Sequence, residues 1–351
     1  MVSLIGQAEV IGANFSIDSV LRGKICMYDE QQRGHESADR PLPNLLQRSR
    51  EVQGERVLYR FGNGLKIKTE IFRKNDRLRI LPLGSPQGSF MNHILNFPEV
   101  VKDKDVFEPF AGSGAIGFMA LKVGARHVDF LDINPRALSF QIENAALNDF
   151  PTSRYRPIEG DIATFSNDRK YDMTVANPPF VPTPEGIEGI ITSNGGRDGN
   201  RFAEILLKRL EELLQPDGQA FIYLFQIIKR GEPLIVELIM RHLDHRAVEL
   251  TPSQARPISF PVYCQTYSEV FPGAAEAVAR WRTDLTGRYG KDLMLSHYIA
   301  HIGPRADGLT SYVIRNNFRE KYGEDLLVQF RDDKDLSYSR ILENVLQFGD
   351  R

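Results

Sequence analysis

Apolar and polar positions along the chain change period several times, and each change marks an expected element. Val57 to Phe61 and Leu65 to Phe72 are two short runs rich in apolar and β-branched residues, with Asn63-Gly64 between them. That pattern predicts two strands joined by a tight turn. Between Asp105 and Phe225, short apolar runs alternate with stretches of helical spacing. Val106-Phe107-Glu108-Pro109-Phe110 and Val128-Asp129-Phe130-Leu131 read as strands, and Ala115 to Val123 reads as an apolar helix. Pro135 to Leu147 reads as the next helix, with Pro135 suited to its first turn. Arg156-Pro157-Ile158-Glu159 leads into Gly160-Asp161, and a further strand runs from Tyr171 to Asn177. Arg201 to Leu214 is amphipathic and closed by Pro216-Asp217-Gly218; Gln219 to Phe225 has the continuous apolar character of a buried strand. Strands and helices alternating at this spacing predict an α/β fold with a parallel, doubly wound sheet.

The flanks carry weaker patterns. Up to about Glu55 the chain mixes short apolar runs with segments such as Arg40-Pro41-Leu42-Pro43, and no regular element is assigned there. Beyond Leu250, Ala274 to Arg288 reads as a helix and Leu293 to His301 as a second helical stretch. Leu309 to Ile314 reads as a returning strand, and Tyr338 to Leu346 as a helix in a charged tail. The expected division is an N-terminal strand-rich extension over 1–89, with its hairpin and a role in substrate recognition. A core follows over 90–251, then a lid or insertion, the returning strand and a tail over 252–351.

Composition narrows the partners. The formal net charge of −2 provides no general attraction to nucleic acid or an anionic membrane. Lys66, Lys68, Arg73, Lys74, Arg77 and Arg79 make the hairpin region basic, which reads as a solvated strand face or as a phosphate-binding one. Two cysteines, Cys26 and Cys264, lie far apart and outside metal-ligand spacing. The first residues lack a basic segment followed by a long apolar one, and no run reaches membrane-spanning length. A cytoplasmic protein without a membrane partner is expected.

Candidate chemistry collects at the ends of the predicted strands. Glu108-Pro109-Phe110-Ala111-Gly112-Ser113-Gly114-Ala115-Ile116-Gly117 joins the first strand to its helix. Glycines there let backbone approach a ligand, and Gly117 lets the helix pack closely on the sheet. Asp132 ends the second strand about 20 residues on, where an acid can take both hydroxyls of a ribose. Asp161 can accept from an adenine amino group, with Ile162 against the ring; either aspartate alone also reads as a helix N-cap. Asn177-Pro178-Pro179-Phe180 follows the fourth strand. Its prolines fix two φ angles near about −65° and remove two donors, leaving carbonyls free. The Asn177 side-chain oxygen and the Pro178 carbonyl can then accept both hydrogens of one amino group while Phe180 covers its plane. Taken alone, the word also reads as a rigid strand-ending turn.

Other residues carry less. His297 and His301 lie one helical turn apart without a carboxylate or cysteine in ligand spacing, so they read as a surface or lid helix and no metal is expected. His93 reads as a packing residue. Tyr263, Tyr267 and Phe271 read as lid packing or as a lining for the acceptor pocket. Ser85 to Phe90 reads as a turn or a pocket rim.

With these motifs in this order, the stretch from about Phe90 to Leu250 resembles the class I S-adenosylmethionine-dependent methyltransferases whose fourth motif reads Asn-Pro-Pro-Phe or Asn-Pro-Pro-Tyr. The resemblance implies a Rossmann-like sheet and S-adenosyl-L-methionine as cofactor. It implies cofactor contacts from Glu108, Phe110, Gly112, Gly114, Asp132, Ile133, Asp161, Ile162 and Asn177, and acceptor contacts from Asn177, Pro178 and Phe180. Phe110 departs from the pattern, since many relatives carry glycine there. Gly195-Gly196-Arg197-Asp198-Gly199 is similar to a loop of the release-factor glutamine methyltransferases; on its own it reads as a flexible loop into a helix capped by Asp198 or Asn200. Both chain ends differ from that group. The implied activity is N-methylation of a planar or amide-type amino nitrogen on a small molecule or a peptide or protein side chain. The basic hairpin keeps open an alternative acceptor, a nucleic-acid amino group such as adenine N6 or guanine N2. A cofactor-binding interaction protein without catalysis is the other alternative, although pure binding has no need of an amino clamp.

Overall fold

The computed structural model describes residues 26–28, 48–71, 76, 78–187, 193–253 and 257–315. The expected helix over Tyr338 to Leu346, most of the stretch before Glu55, and Arg73, Lys74 and Arg77 lie outside the described residues. In chain order the strands are β1 (Cys26–Tyr28), β2 (Arg48–Gln53), β3 (Arg56–Phe61), β4 (Lys66–Glu70), β5 (Asp105–Pro109), β6 (His127–Asp132), β7 (Tyr155–Glu159), β8 (Tyr171–Ala176), β9 (Leu214–Lys229), β10 (Glu232–Pro233), β11 (Arg246–Pro252), β12 (Ile258–Ser259), β13 (Met294–Arg305) and β14 (Ser311–Ile314). The helices are α1 (Ser85–Asn96), α2 (Ala115–Lys122), α3 (Pro135–Leu147), α4 (Arg201–Leu213), α5 (Ile235–His242), α6 (Phe260–Val270) and α7 (Ala275–Tyr289).

The main sheet has the order β1-β14-β11-β13-β9-β8-β5-β6-β7. Neighbours from β7 to β9 are parallel, whereas β13 runs antiparallel to both β9 and β11. This is the doubly wound α/β fold expected from the alternation. From β5 the chain winds outward through β6 and β7, then crosses back to β8 and continues the other way. The reversal leaves a crevice at the carboxyl ends of β5 and β8, the place where ligands bind in open α/β sheets. Glu108 is the last residue but one of β5, and Asn177 follows β8.

Both faces of the sheet are covered, so its strands are apolar at successive positions. Val106, Phe130, Val175 and Tyr223 pack with Phe90 and Ile94 of α1 and Phe118 of α2. The opposite side chains, Phe107, Leu131, Ala176 and Leu224, pack with Leu206 and Leu210 of α4 and Ile235 of α5. Phe225, Ile227 and Leu295 join Tyr263, Tyr267 and Trp281 of α6 and α7 in a third cluster.

The predicted hairpin is present, and β2 adds a third antiparallel strand to it. The outer edge of β4 is closed by side chains of α3. Asn144 exchanges hydrogen bonds with the amide and carbonyl of Lys68 at 2.7 and 3.1 Å, and Asn148 does so with Lys66 at 2.8 and 2.6 Å. Two carboxamides one helical turn apart thus stand in for a neighbouring strand, meeting backbone groups that an open edge leaves unpaired.

Three local readings are corrected. The stretch from Leu293 to His301 is not helical: it forms most of β13, whose backbone pairs with β9 on one side and β11 on the other. Its His, Tyr and Ile suit a half-buried pleated surface, and a spacing of four fits strand period as well as helix period. Ser85 to Phe90 is the opening of α1, where Gly84 N donates to Gln87 Oε1 at 3.1 Å. The expected cap on α4 is absent. Asn200 occupies the capping position without bonding the helix amides, because its Oδ1 accepts from Gln226 Nε2 at 2.7 Å, while Asp198 Oδ1 accepts from Asn200 N at 3.0 Å.

Candidate active site

The turn after β5 bends through three left-handed residues: Phe110 at φ 62°, Gly112 at φ 51° and Gly114 at φ 77°. A side chain at Gly114 meets the Phe118 ring at 2.8 Å, and one at Gly117 meets the Phe130 ring and, at 2.5 Å, Glu108 Oε2. At Gly112 nothing lies within 4 Å of such a Cβ, so this glycine faces open space. The loop is held from below. Gly112 N donates to Asp132 Oδ2 at 2.6 Å, Gln141 Nε2 donates to Gly112 O at 3.0 Å, and Asn144 Nδ2 donates to Ser113 O at 2.9 Å. Glu108, 2% exposed, accepts from Gly117 N at 2.8 Å. Burial, reinforced by the neighbouring Asp132 carboxylate, pushes its carboxyl well above the usual carboxylate range.

Asp132 ends β6 with its other oxygen accepting from Asn134 N at 2.9 Å, and burial raises its pKa. The adjacent Ile133 is 51% exposed, an apolar side chain left uncovered at the same strand end. Asp161, beyond β7, is exposed and accepts from Ala163 N at 2.9 Å, the local turn that the capping reading describes. Ile162 is buried in the cluster with Phe107 and Leu131. Phe110 sets its ring edge against Phe202 of α4, with centroids 5.9 Å apart.

Asn177 and Phe180 are half-buried beyond β8, and Pro178 and Pro179 are buried. The Asn177 Oδ1 atom is shielded from solvent and has no hydrogen-bond partner among the described residues. The Gly195 to Gly199 loop wraps around the same segment. Gly195 N donates to Val181 O at 2.9 Å, and side chains at Gly195 and Gly199 would lie 2.6 Å from Phe180 C and 2.5 Å from Phe180 O. Glycine is required there by close approach to the Phe180 backbone. From the far side, Tyr263 and Tyr267 of α6 donate to Pro182 O at 3.2 and 2.9 Å, and Trp281 Nε1 of α7 donates to Arg197 O at 2.9 Å.

Residues 92–223 match the family described as the methyltransferase small domain. Over these residues the chain is similar to the class I S-adenosylmethionine-dependent methyltransferases. Over 123 residues it is 35% identical to a protein of Methanocaldococcus jannaschii named as a candidate protein N5-glutamine methyltransferase, covering 34% of this chain and 60% of that one. Over 129 residues it is 30% identical to ribosomal RNA large subunit methyltransferase I of Aliivibrio fischeri, covering 35% and 30%. Over 106 residues it is 35% identical to tRNA (guanine(26)-N(2))-dimethyltransferase of Methanococcus aeolicus, covering 26% and 28%. The chain therefore spans less than two thirds of each of these relatives.

S-adenosylmethionine is the cofactor of such a domain, and the residues present fit it: open space at Gly112, carboxyls at Glu108, Asp132 and Asp161, and the uncovered Ile133 share one end of the sheet. The methyltransferase domain also uses residues that the sequence pattern did not single out. Gln141 and Asn144 read as ordinary polar positions of a helix, yet both hold carbonyls of the glycine turn. His297 lies on β13 with its ring stacked on Phe225 at 4.3 Å and edge-on to Phe180 at 5.7 Å. His301 is bound to Gln219 Oε1 at 2.8 Å, and His93 packs on Phe97 and Phe221. Tyr263 and Tyr267 are fully buried in the cluster with Phe225 and Trp281. In the hairpin, Arg56 and Lys68 pair with Glu143, and Arg60 pairs with Glu51. No group of three or more metal-ligating side chains gathers among the described residues, and no helix among them is long and apolar enough to cross a membrane.

Proposed function

We propose that the chain is an N-methyltransferase acting on a planar, amide-type amino nitrogen of a small molecule or of a peptide or protein side chain. The observation that carries this reading is the Asn177 oxygen, a buried acceptor with no partner at the sheet's reversal point. Leaving such an atom unmet costs about 1–3 kcal/mol, so a donor arriving with the substrate relieves a penalty already present in the fold. Asn177 Oδ1 and the Pro178 carbonyl each take one hydrogen of the amino group, and the Phe180 ring limits the group to one plane.

Bound S-adenosylmethionine supplies an electrophilic methyl group on a sulfonium. Around it, Glu108 would face the methionine ammonium, Gly112 and Gly114 would admit its chain, and Asp132 would take the ribose hydroxyls. Asp161, Ile133 and Ile162 would meet the adenine, and Phe110 would close the loop beside it. The protein's contribution is alignment: an amide or ring nitrogen has its lone pair spread into a π system, and acceptors on both N–H bonds favour the positive charge that grows during attack. No strong base is required, since the proton can leave after transfer. In this reading residues 90–251 form the cofactor-binding core, with an N-terminal extension before and a lid region after.

The relative named for glutamine N5 methylation supports a carboxamide acceptor, as does the glycine loop packed on Phe180. The relatives named for ribosomal and transfer RNA support a second reading, a nucleic-acid amino group, while the paired cations of the hairpin weaken its electrostatic basis. Asn177→Ala tests the clamp. The variant should bind S-adenosylhomocysteine as the parent does in calorimetry, and methyl transfer should fall about 10²-fold. Undiminished transfer would remove Asn177 from the reaction.

A further inference from the structure

We propose that His297 is a second acceptor-binding residue, hydrogen-bonding the atom next to the amino nitrogen and so selecting conjugated amino groups over aliphatic amines. The inference rests on the function proposed above and adds to it a residue that determines specificity.

Because β13 runs against β9, its first half lies at the same end of the sheet as the carboxyl ends of β5, β8 and β9. His297 pairs there with Phe225, and both side chains stand on the face that Phe180 covers. Three rings hold the imidazole: Phe225 stacked at 4.3 Å and 23°, Phe180 edge-on at 5.7 Å and Tyr223 tilted at 5.5 Å. Its Nδ1 is shielded from solvent and has no hydrogen-bond partner among the described residues, although the residue as a whole keeps part of its surface open. His297 Nδ1 therefore lies on a ring packed against Phe180, three residues beyond Asn177 and its own unmet Oδ1.

A histidine retained only for packing is expected to meet its polar atoms locally. His301, further along the same strand face, does so through Gln219 at 2.8 Å. His297 has no comparable bond, and a buried polar group without one is costly unless a ligand completes it. Its environment also decides its role. Burial among rings lowers the pKa to about 3, which keeps the imidazole neutral and makes it a poor proton acceptor near neutrality. A neutral imidazole presents one donor and one acceptor. Carboxamides and the amino-bearing edges of adenine and guanine all place a hydrogen-bonding atom beside the amino nitrogen. An alkylamine has no such atom and leaves the imidazole unmet.

The test uses the full chain saturated with S-adenosylhomocysteine. N-acetylglutamine amide, adenosine, guanosine and n-butylamine are titrated at millimolar concentration against protein carrying 15N-labelled imidazoles. The His297 ring signals, assigned with His297→Phe, should shift with at least one conjugated probe and stay fixed with n-butylamine. Unmoved signals with all three conjugated probes, or an equal shift with n-butylamine, would overturn the proposal. Methyl transfer to the same probes separates it from the broader reading. A moved imidazole with no transfer to any probe counts against N-methyl transfer and leaves the binding role standing. Where transfer occurs, His297→Phe keeps the ring stack and should raise the acceptor KM about tenfold, the worth of one neutral hydrogen bond. kcat and the S-adenosylhomocysteine Kd should stay near parental values. His297→Asn, which keeps a polar atom near the Nδ1 position, should recover part of that loss; an unchanged KM in His297→Phe would refute the assignment.

Discussion

Glu108 is a single side chain of the fold that the proposed reading also places in the ligand site. Its carboxyl is buried, accepts from Gly117 N at 2.8 Å and faces the charge of Asp132, so in the folded chain its proton is held well above the usual carboxylate range. A raised folded pKa stabilises the protein below the unfolded value of 4.5 and loses that contribution as pH rises through the raised one. The ammonium of a bound methionine moiety favours the ionised form. Binding in that window should therefore release a proton. Calorimetry of S-adenosylhomocysteine binding in buffers of different ionisation heat should show buffer-dependent enthalpy, and Glu108→Gln should abolish the dependence. The same enthalpy in every buffer with the parent protein would place the ammonium elsewhere.

At the scale of elements, α3 ties the N-terminal hairpin to the glycine turn. Asn144 meets Lys68 N, Lys68 O and Ser113 O together, whereas Asn148 meets only Lys66 and the helix's own Asn144 carbonyl. Asn144→Ala leaves a strand edge and a loop carbonyl without partners, and should lower stability by roughly 2–3 kcal/mol and weaken S-adenosylhomocysteine binding. Asn148→Ala should lower stability less and leave that affinity unchanged. Urea titration and calorimetry on the pair check this, and equal affinities in the two variants would sever the hairpin from the loop. This coupling was not legible in the sequence, because an exposed and a buried asparagine look alike on a helix and their partners lie 76 and 31 residues away. Local signals were legible wherever one period dominated. The Asn63-Gly64 turn, Pro135 at the start of α3, and the order of Gly112, Asp132, Asp161 and Asn177 all fell where the strand ends are. β13 was not, since its histidine spacing fits both periods and its pairing with β9 and β11 decided the matter. α6 opens on Phe260-Pro261-Val262-Tyr263, whose composition suits a strand; the helix is selected by packing Tyr263 and Tyr267 onto Pro182.

For the whole molecule, His297 and Asp129 lose stability on acidification over different ranges, against the opposite slope of the raised carboxyls of Glu108 and Asp132. His297 titrates at 6.5 when unfolded and at about 3 when folded, because burial disfavours its cation. Between those values the unfolded chain binds the extra proton, so stability is full above 6.5 and falls as pH drops, by at most ~1.4 kcal/mol per pH unit. Asp129 acts lower. Its side chain is fully buried and accepts from His127 at 3.0 Å, from Arg156 at 2.6 Å and from Tyr171 at 2.6 Å, joining β6 to β7 and β8. These bonds outweigh desolvation and bring its carboxyl from 3.8 to about 2, so its contribution is present above 3.8 and is lost as pH falls towards 2. The lowering corresponds to roughly 2 kcal/mol. In urea midpoints measured from pH 7 to pH 3, the parent should therefore lose stability relative to His297→Asn as pH falls below 6.5, by a difference that grows down to about pH 4. Asp129→Asn should be less stable throughout because it breaks the network, and its remaining decline should follow the His297 window. Parallel profiles for the parent and His297→Asn would mean that the imidazole is hydrated in the folded chain. Its burial could then support neither the acid response nor a neutral hydrogen-bonding role toward the acceptor.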